Sequence, residues 1–308
     1  MLFESVAAEY MAAKARKVRP NTLEGYESAL RCHLLPKWEG RDIEEIRHDE
    51  IQAWVSGMSY GAAAKAHKTL RQILRWAIRT YRLRIWCETD DIELPKPPLR
   101  KTKTLTERQL NQATHDWRGE TWEPVALVQS ACGLRPCEAA ALTWGDIDLR
   151  SGEVSVTKGR HEVKGEVYTW GTKTDKSTRT VVLPRYAVAR LREIRRDVRP
   201  KPSALLCDLK PHALYRRMRA WFHRRGLDMC AENLRHTWAT LAVKAGVPIE
   251  TVSMALGHSS LETAYSRYIM RSVDVFKAAQ KQFSNLVLKS VKPSAAVARW
   301  NTSPVRVA

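Results

Sequence analysis

The chain has 308 residues, 44% of them hydrophobic, with 52 Lys+Arg against 33 Asp+Glu, a formal charge of +19 and a pI near 9.9. Its length exceeds one average domain and predicts two, and its positive excess predicts a polyanionic partner. No apolar run approaches the ~18–20 residues that cross a bilayer, the start with Glu4 and Glu9 does not resemble a signal peptide, and six Cys lack any C-x-x-C or metal spacing, so a reduced, soluble, cytoplasmic protein is expected.

Residues 2 to 17 place Phe3, Val6, Ala7, Tyr10 and Met11 at helical spacing, and Pro20-Asn21-Thr22 opens a second helix expected to stop before Pro36. Ile43, Ile46, Ile51, Trp54 and Val55 predict a short helical pair. A longer helix follows from about Ala62 to Tyr81, with Leu70, Ile73, Leu74, Ala77 and Ile78 as its apolar stripe. Another face carries Lys65, Lys68, Arg71, Arg75 and Arg79, with no acidic residue between Ala62 and Trp86. A solvated face ordinarily mixes signs, so this one is the candidate for contact with a DNA backbone or groove.

Pro95-Lys96-Pro97-Pro98 cannot continue a helix and reads as a linker over residues 95–103, which makes 1–94 a small helical domain. Thr104-Leu105-Thr106-Glu107 reads as a helix cap that opens the second domain, 104–272. Val125 to Cys132 predict a buried helix, broken by Gly133-Leu134-Arg135-Pro136 before another begins with Glu138 in its first turn. From Glu153 the period changes to two, and Val154/Val156, Val163/Val167 and Thr180–Leu183 mark three short strands joined by Gly-, Lys- and Thr-rich connections. The predicted class is therefore mainly α with a small β-sheet, α+β. Arg185 to Arg235 holds 14 basic and 5 acidic residues and forms the strongest electrostatic stretch. Residues 273 to 288 repeat an apolar spacing through Phe276, Ala279, Phe283 and Val287, and the last twenty lack a pattern, so 273–308 reads as a short helix and tail.

The chemistry concentrates in Glu232 to Tyr268. Leu234, Trp238, Leu241 and Ala242 recur at helical spacing, which places Arg235 and His236 in the first turn of a buried helix. A buried Arg requires a partner, and a helix start offers unpaired N–H groups, so the guest is an anion, phosphate or carboxylate. Pro248 begins another helix that stops near Gly257, where a left-handed turn presents His258. Tyr265 and Tyr268 follow. The same run also scans as helix, turn, helix, the pattern of a non-catalytic DNA reader.

Arg235-His236-Thr237, Leu256-Gly257-His258 and Tyr268 resemble the tyrosine recombinase (phage integrase) family, and Gly133-Leu134-Arg135-Pro136-Cys137-Glu138 through Leu142-Thr143-Trp144 resembles its first arginine motif. The resemblance covers most of residues 104 to 270 and extends loosely to the helical segment before it. It implies a helical core-binding (SAM-like) domain before a catalytic domain. It implies also a site-specific recombinase that cuts and rejoins double-stranded DNA through a 3′-phosphotyrosyl intermediate, for integration or excision of a phage or other mobile element. Tyr268 is then the nucleophile, Arg135, Arg235 and His258 hold the phosphate, and Lys173 is the hairpin lysine that protonates the leaving oxygen, with Lys158 and Lys176 as nearby competitors. No metal or cofactor is implied. The family ordinarily has His at the position of Glu232, which cannot donate a proton like imidazolium at neutral pH. A homotetramer on DNA and accessory DNA-bending or directionality proteins are the implied partners. A type IB-like topoisomerase would use the same groups, and a helix-turn-helix regulator would use none of them.

Overall fold

The structure is a computed structural model that describes residues 1–83, 89–98, 102–171 and 177–257. By contacts the chain divides into two compact units, Met1–Lys101 with His161–Glu166, and Thr102–Arg160 with Val167 onward.

The first unit is helical. Its elements are α1 (Phe3–Ala15), α2 (Pro20–Ala29), α3 (Leu35–Trp38), α4 (His48–Ser56) and α5 (Tyr60–Tyr81). Pro36 does not stop the helical path as expected: a π-turn over Leu30–Leu34 carries the chain into α3, with Pro36 in its first turn. Phe3 and Val6 of α1, Ala29 of α2, Trp38 of α3, Ile51 of α4 and Leu70 and Ile73 of α5 are fully buried and share one core. Gln72 joins three helices, accepting hydrogen bonds on one oxygen from the hydroxyls of Tyr10 at 2.7 Å and Tyr26 at 3.0 Å.

The second unit is built around a helix with no exposed face. Its elements begin with α6 (Glu107–Asp116), α7 (Glu123–Cys132) and α8 (Pro136–Ala141). Thr106 caps α6 reciprocally with Gln109, as its sequence predicts. Every residue of α7 is buried, which is why Val125–Val128 reads as an unbroken apolar run. Next in the chain, among the described residues, come five strands, β1 (Ile147–Asp148), β2 (Glu153–Val156), β3 (Lys158–Val163), β4 (Glu166–Gly171) and β5 (Arg179–Val182), of which residues 161–166 belong by contacts to the first unit. β2 is the centre of an antiparallel sheet ordered β1-β2-β5, with Val154 opposite Val181 and both turned to the core. Val163 and Val167, expected on one strand, belong to two: β3 and β4 pair separately, around Lys164 and Gly165 at φ +51° and +85°. Positive φ at both central residues is the backbone of a tight hairpin turn.

Among the described residues four helices follow: α9 (Arg185–Val198), α10 (Pro211–His223), α11 (Ala231–Lys244) and α12 (Ile249–Leu256). Trp117, Trp122 and Trp221 meet edge to face at 6.0–6.1 Å between ring centroids, the geometry that suits the ring quadrupoles. Gln129 of α7 donates to the Ala231 carbonyl at 2.8 Å and Thr237 of α11 accepts from the Leu105 amide at 3.0 Å, so α11 is tied to the core at its first turns. No helix among the described residues is long and apolar enough to cross a membrane.

Candidate active site

Two glycine turns set the frame. Gly133 ends α7 at φ +66° and Gly257 ends α12 at φ +64°, both in the left-handed region that removes a carbonyl from the helical path at little cost only for glycine. Pro136, pre-set for a first helical turn, then starts α8 with Arg135 as its N-cap. The sequence GLRP therefore turns Arg135 out of one buried helix and holds it at the start of the next.

Glu138 lies one turn into α8 and is 4% exposed. Its carboxylate accepts from the Arg135 amide at 2.9 Å and from Arg135 Nη1 at 2.8 Å. It also accepts from both terminal nitrogens of Arg179, at 2.8 and 3.2 Å. Burial pushes the Glu138 carboxyl up, but the Arg179 guanidinium, then the Arg135 amide and guanidinium, outweigh it and hold the group below the usual carboxylate range. Glu138 is thus an anion, and one buried carboxylate organises two arginines.

Arg235 is in the first two turns of α11 and 3% exposed. The sequence calls for an anion beside it. Its guanidinium donates to peptide carbonyls, from Nη1 to Gly133 at 2.9 Å and from Nη2 to Leu256 at 2.9 Å. The dipole of a helix C-terminus supplies the partial negative charge.

Arg135 Nη2 donates to the Gly257 carbonyl at 3.1 Å and Arg179 Nε to that of Ala255 at 2.6 Å. Three arginines from three elements therefore grip three successive carbonyls, 255, 256 and 257, at the end of α12. Arg135 and Arg235, 100 positions apart, meet at neighbouring peptide groups, and the next residue in the chain is His258. Arg135 keeps 35% of its side chain exposed, whereas Arg179 keeps 8%. Lys173, His258 and Tyr268 lie outside the described residues.

Glu232 is exposed in the first turn of α11. Burial, then the neighbouring Cys137, then Glu232 raise the Tyr215 phenol, and burial, then Glu138, with Glu232 last, raise the Cys137 thiol above their ordinary ranges. The described residues hold no group of three or more His, Cys, Asp or Glu able to bind a metal.

On α5, Lys65, Lys68, Arg75 and Arg79 are exposed and Arg71 is half-buried. The stripe is free of acid in sequence but not in space: Asp90 returns to it and accepts from Arg71 at 2.8 Å and Arg75 at 2.9 Å on one oxygen. Lys65 donates to the Ser28 hydroxyl at 3.1 Å. Sequence periodicity also misses Lys14 and Lys17, which with Tyr10, Arg75, Trp76 and Arg79 line a cavity of about 330 Å³ at one end of the stripe. The Lys14 amine stands over the rings of Tyr10 and Tyr26, 5.5 and 5.7 Å from their centroids.

Residues 103–273 match the phage integrase family, and residues 2–59 match the N-terminal SAM-like domain of phage integrases. Among curated relatives, a tyrosine recombinase XerC of Alcanivorax borkumensis is 27% identical over 268 residues, covering 82% of this chain and 84% of its own. A tyrosine recombinase XerA of Saccharolobus solfataricus is 23% identical over 250, covering 79% and 80%. Among solved structures, the Tn1549 transposon integrase in complex with a circular intermediate DNA has the same fold at a TM-score of 0.75 and 16% identity, covering 91% of this chain and 98% of that one. A lambda integrase tetramer bound to a Holliday junction aligns at 0.63 and 17%, covering 84% and 78%. The chain belongs to the phage integrase family. It is a tyrosine-type enzyme of site-specific DNA recombination, and DNA is its substrate.

Proposed function

We propose that Arg135 and Arg235 bind the non-bridging oxygens of one scissile phosphodiester, together with His258, and that the phenol of Tyr268 attacks its phosphorus. A tyrosine hydroxyl with a pKa near ~10 is a poor nucleophile at neutral pH, and two fixed guanidiniums favour its oxyanion as well as the charge of the five-coordinate transition state. The Tyr268–phosphorus bond forms as the bond to the 5′ oxygen breaks. Lys173 gives that oxygen its proton. The covalent phosphotyrosine keeps the energy of the diester, so the 5′ hydroxyl of a second strand reverses the step without ATP and strands are exchanged. Glu232, in the position of the family's histidine, serves as a proton acceptor or orients a neighbouring Arg.

In this reading residues 1–94 form the core-binding domain, 95–103 the linker, 104–272 the catalytic domain and 273–308 a C-terminal helix and tail. Lys65, Lys68, Arg71, Arg75 and Arg79 contact the duplex. The working assembly is a homotetramer on paired sites in the cytoplasm, with accessory DNA-bending or directionality proteins, and it integrates or excises a phage or other mobile element.

The observation that carries this reading is the meeting of Arg135 and Arg235 at the carbonyls of Gly257 and Leu256, one residue before His258 in the chain. The test is incubation of the full chain with nicked suicide duplexes of the element's core site. A DNA–protein species that survives detergent and forms without added metal is the expected result. Binding without such a species would reduce the chain to a DNA reader, and relaxation of supercoiled plasmids lacking any site would make it a topoisomerase.

A further inference from the structure

Arg179 does nothing in the scheme above, yet it is the most enclosed member of the arginine cluster after Arg235. It donates four hydrogen bonds, two to the Glu138 carboxylate and one each to the carbonyls of Ala255 and Ser177. With 8% of its side chain exposed it cannot be a principal DNA contact, whereas Arg135, at 35%, can. We propose that Arg179 is a positioning residue for strand cleavage: it fixes Glu138, and through it the guanidinium of Arg135, while anchoring the end of α12 from which the chain runs to His258.

The geometry gives the reason in two parts. Glu138 has two oxygens, and the fork of Arg179 occupies both, leaving Arg135 one oxygen for its side chain and the other for its amide. Without Arg179 the carboxylate is free to take Arg135 two-pronged, which would draw its guanidinium off Gly257 and neutralise the charge meant for phosphate. Arg179 also packs on the glycine turn itself: a Cβ at position 257 would lie 3.1 Å from its Nη1 and 3.3 Å from its Cζ. The turn is therefore held by carbonyl bonds on one side and by a flat guanidinium on the other. Lysine, a single flexible point charge, has the sign but neither the fork nor the plane.

The same unit contains a pair of the same design without the site. Arg190 of α9 grips the buried Glu123 of α7 at 2.6 and 3.0 Å. Arg190→Lys is thus a matched control, a fork broken over a buried carboxylate that touches neither Arg135 nor α12.

This proposal rests on the recombinase reading, and the experiment separates the two. Single-turnover adduct formation on the nicked suicide duplex is measured at saturating protein for wild type, R179K, R190K, R135K and R135K/R179K, with DNA affinity and thermal midpoint for each. R179K is expected to form adduct about 10–100-fold more slowly, the scale of a misplaced catalytic group, with affinity within about threefold, while R190K loses thermal stability comparably and keeps its rate. In the R135K background, followed over days, the R179K penalty is expected to fall well short of its size in wild type, since the part that acts through Arg135 is already lost. A rate for R179K within about threefold of wild type overturns the proposal, as does a penalty that multiplies fully with that of R135K. Should R179K melt below the assay temperature, Glu138→Gln, isosteric and unable to hold both arginines, is judged by the same two criteria. Absence of adduct with wild type would instead sink the recombinase reading beneath it.

Discussion

Replacing Gly133 by alanine tests the turn on which both arginine motifs depend. Gly133 sits at φ +66°, and a Cβ there would lie 2.5 Å from Cε3 and 2.9 Å from Cδ2 of Trp238, and 3.0 Å from Cδ2 of Leu256. A left-handed conformation costs an ordinary residue about 1–2 kcal/mol. The contact adds an overpacking cost of about 1–3 kcal/mol, because the Trp238 ring packs against the cluster of Ala239, Val252 and Leu256. The sum, about 2–5 kcal/mol, corresponds in a unit of this size to a fall in Tm of roughly 4–20 °C. Gly226→Ala is the control: φ is +70° there, but no atom lies within 4 Å of the added carbon. Its loss is confined to the backbone share, about 1–2 kcal/mol. Thermal unfolding of both variants, followed by circular dichroism, reads the difference. Because the Gly133 carbonyl is an acceptor for Arg235, G133A should also cleave DNA more slowly well below its own Tm. A midpoint for G133A at or above that of G226A would refute the close approach of α7's end to Trp238 and α12.

Three further outcomes are expected. Asp90→Asn releases Arg71 and Arg75 toward phosphate, so DNA affinity should rise at low salt and the slope of log K against log salt should steepen by ~1–2, about one unit per phosphate neutralised; an unchanged slope would mean that these arginines do not face the backbone. Glu138 is held below its unfolded pKa of about 4.3, so its ion pairs stabilise the fold fully above that value and the contribution is lost as pH falls through the depressed folded value. Glu138→Gln should therefore lower Tm at pH 7 yet flatten its decline between about pH 5 and 3, and a decline parallel to wild type would contradict the assignment. Glu232→His introduces a group that donates when protonated, so adduct formation should gain several-fold at pH 6 and the gain should fade above about 6.5; a pH profile identical to wild type would remove residue 232 from the proton chemistry.

Much of this arrangement is legible in the sequence because its punctuation is local. Gly133 and Gly257 are read as helix ends, Pro136 as a helix start and Thr106 as a cap, and each is so in the fold. Arg235 is read as lying in the first turn of a buried helix; it is 3% exposed and stands in the second turn of α11, which begins at Ala231. What the sequence withholds is partnership across long separations. Glu138 reads only as an acidic residue in a first turn, and nothing in its neighbourhood announces that Arg179, 41 positions on, closes over it. Val163 and Val167 share a parity but not a strand, because a turn at Lys164-Gly165 intervenes and β5 passes over the hairpin to pair with β2. The basic stretch from Arg185 to Arg235 reads as the strongest electrostatic stretch of the chain, and part of it serves the fold: Arg190 holds Glu123, Arg192 donates to the Leu149 carbonyl at 2.6 and 3.1 Å, and Arg225 lies 3.8 Å over the Trp221 ring. The acid-free stripe of α5 is likewise countered in space by Asp90. Charge in sequence becomes a binding surface only where the fold leaves it unanswered.

The claim on which the account turns is that the phosphate held between Arg135 and Arg235 is attacked by Tyr268. Trapping the full chain on a nicked suicide duplex, digesting the adduct and mapping the DNA-linked peptide by mass spectrometry tests it directly. The account predicts a 3′-phosphotyrosyl bond at Tyr268, lost in Tyr268→Phe while DNA affinity is retained. Linkage through Tyr265, or an undiminished adduct in Tyr268→Phe, would contradict it.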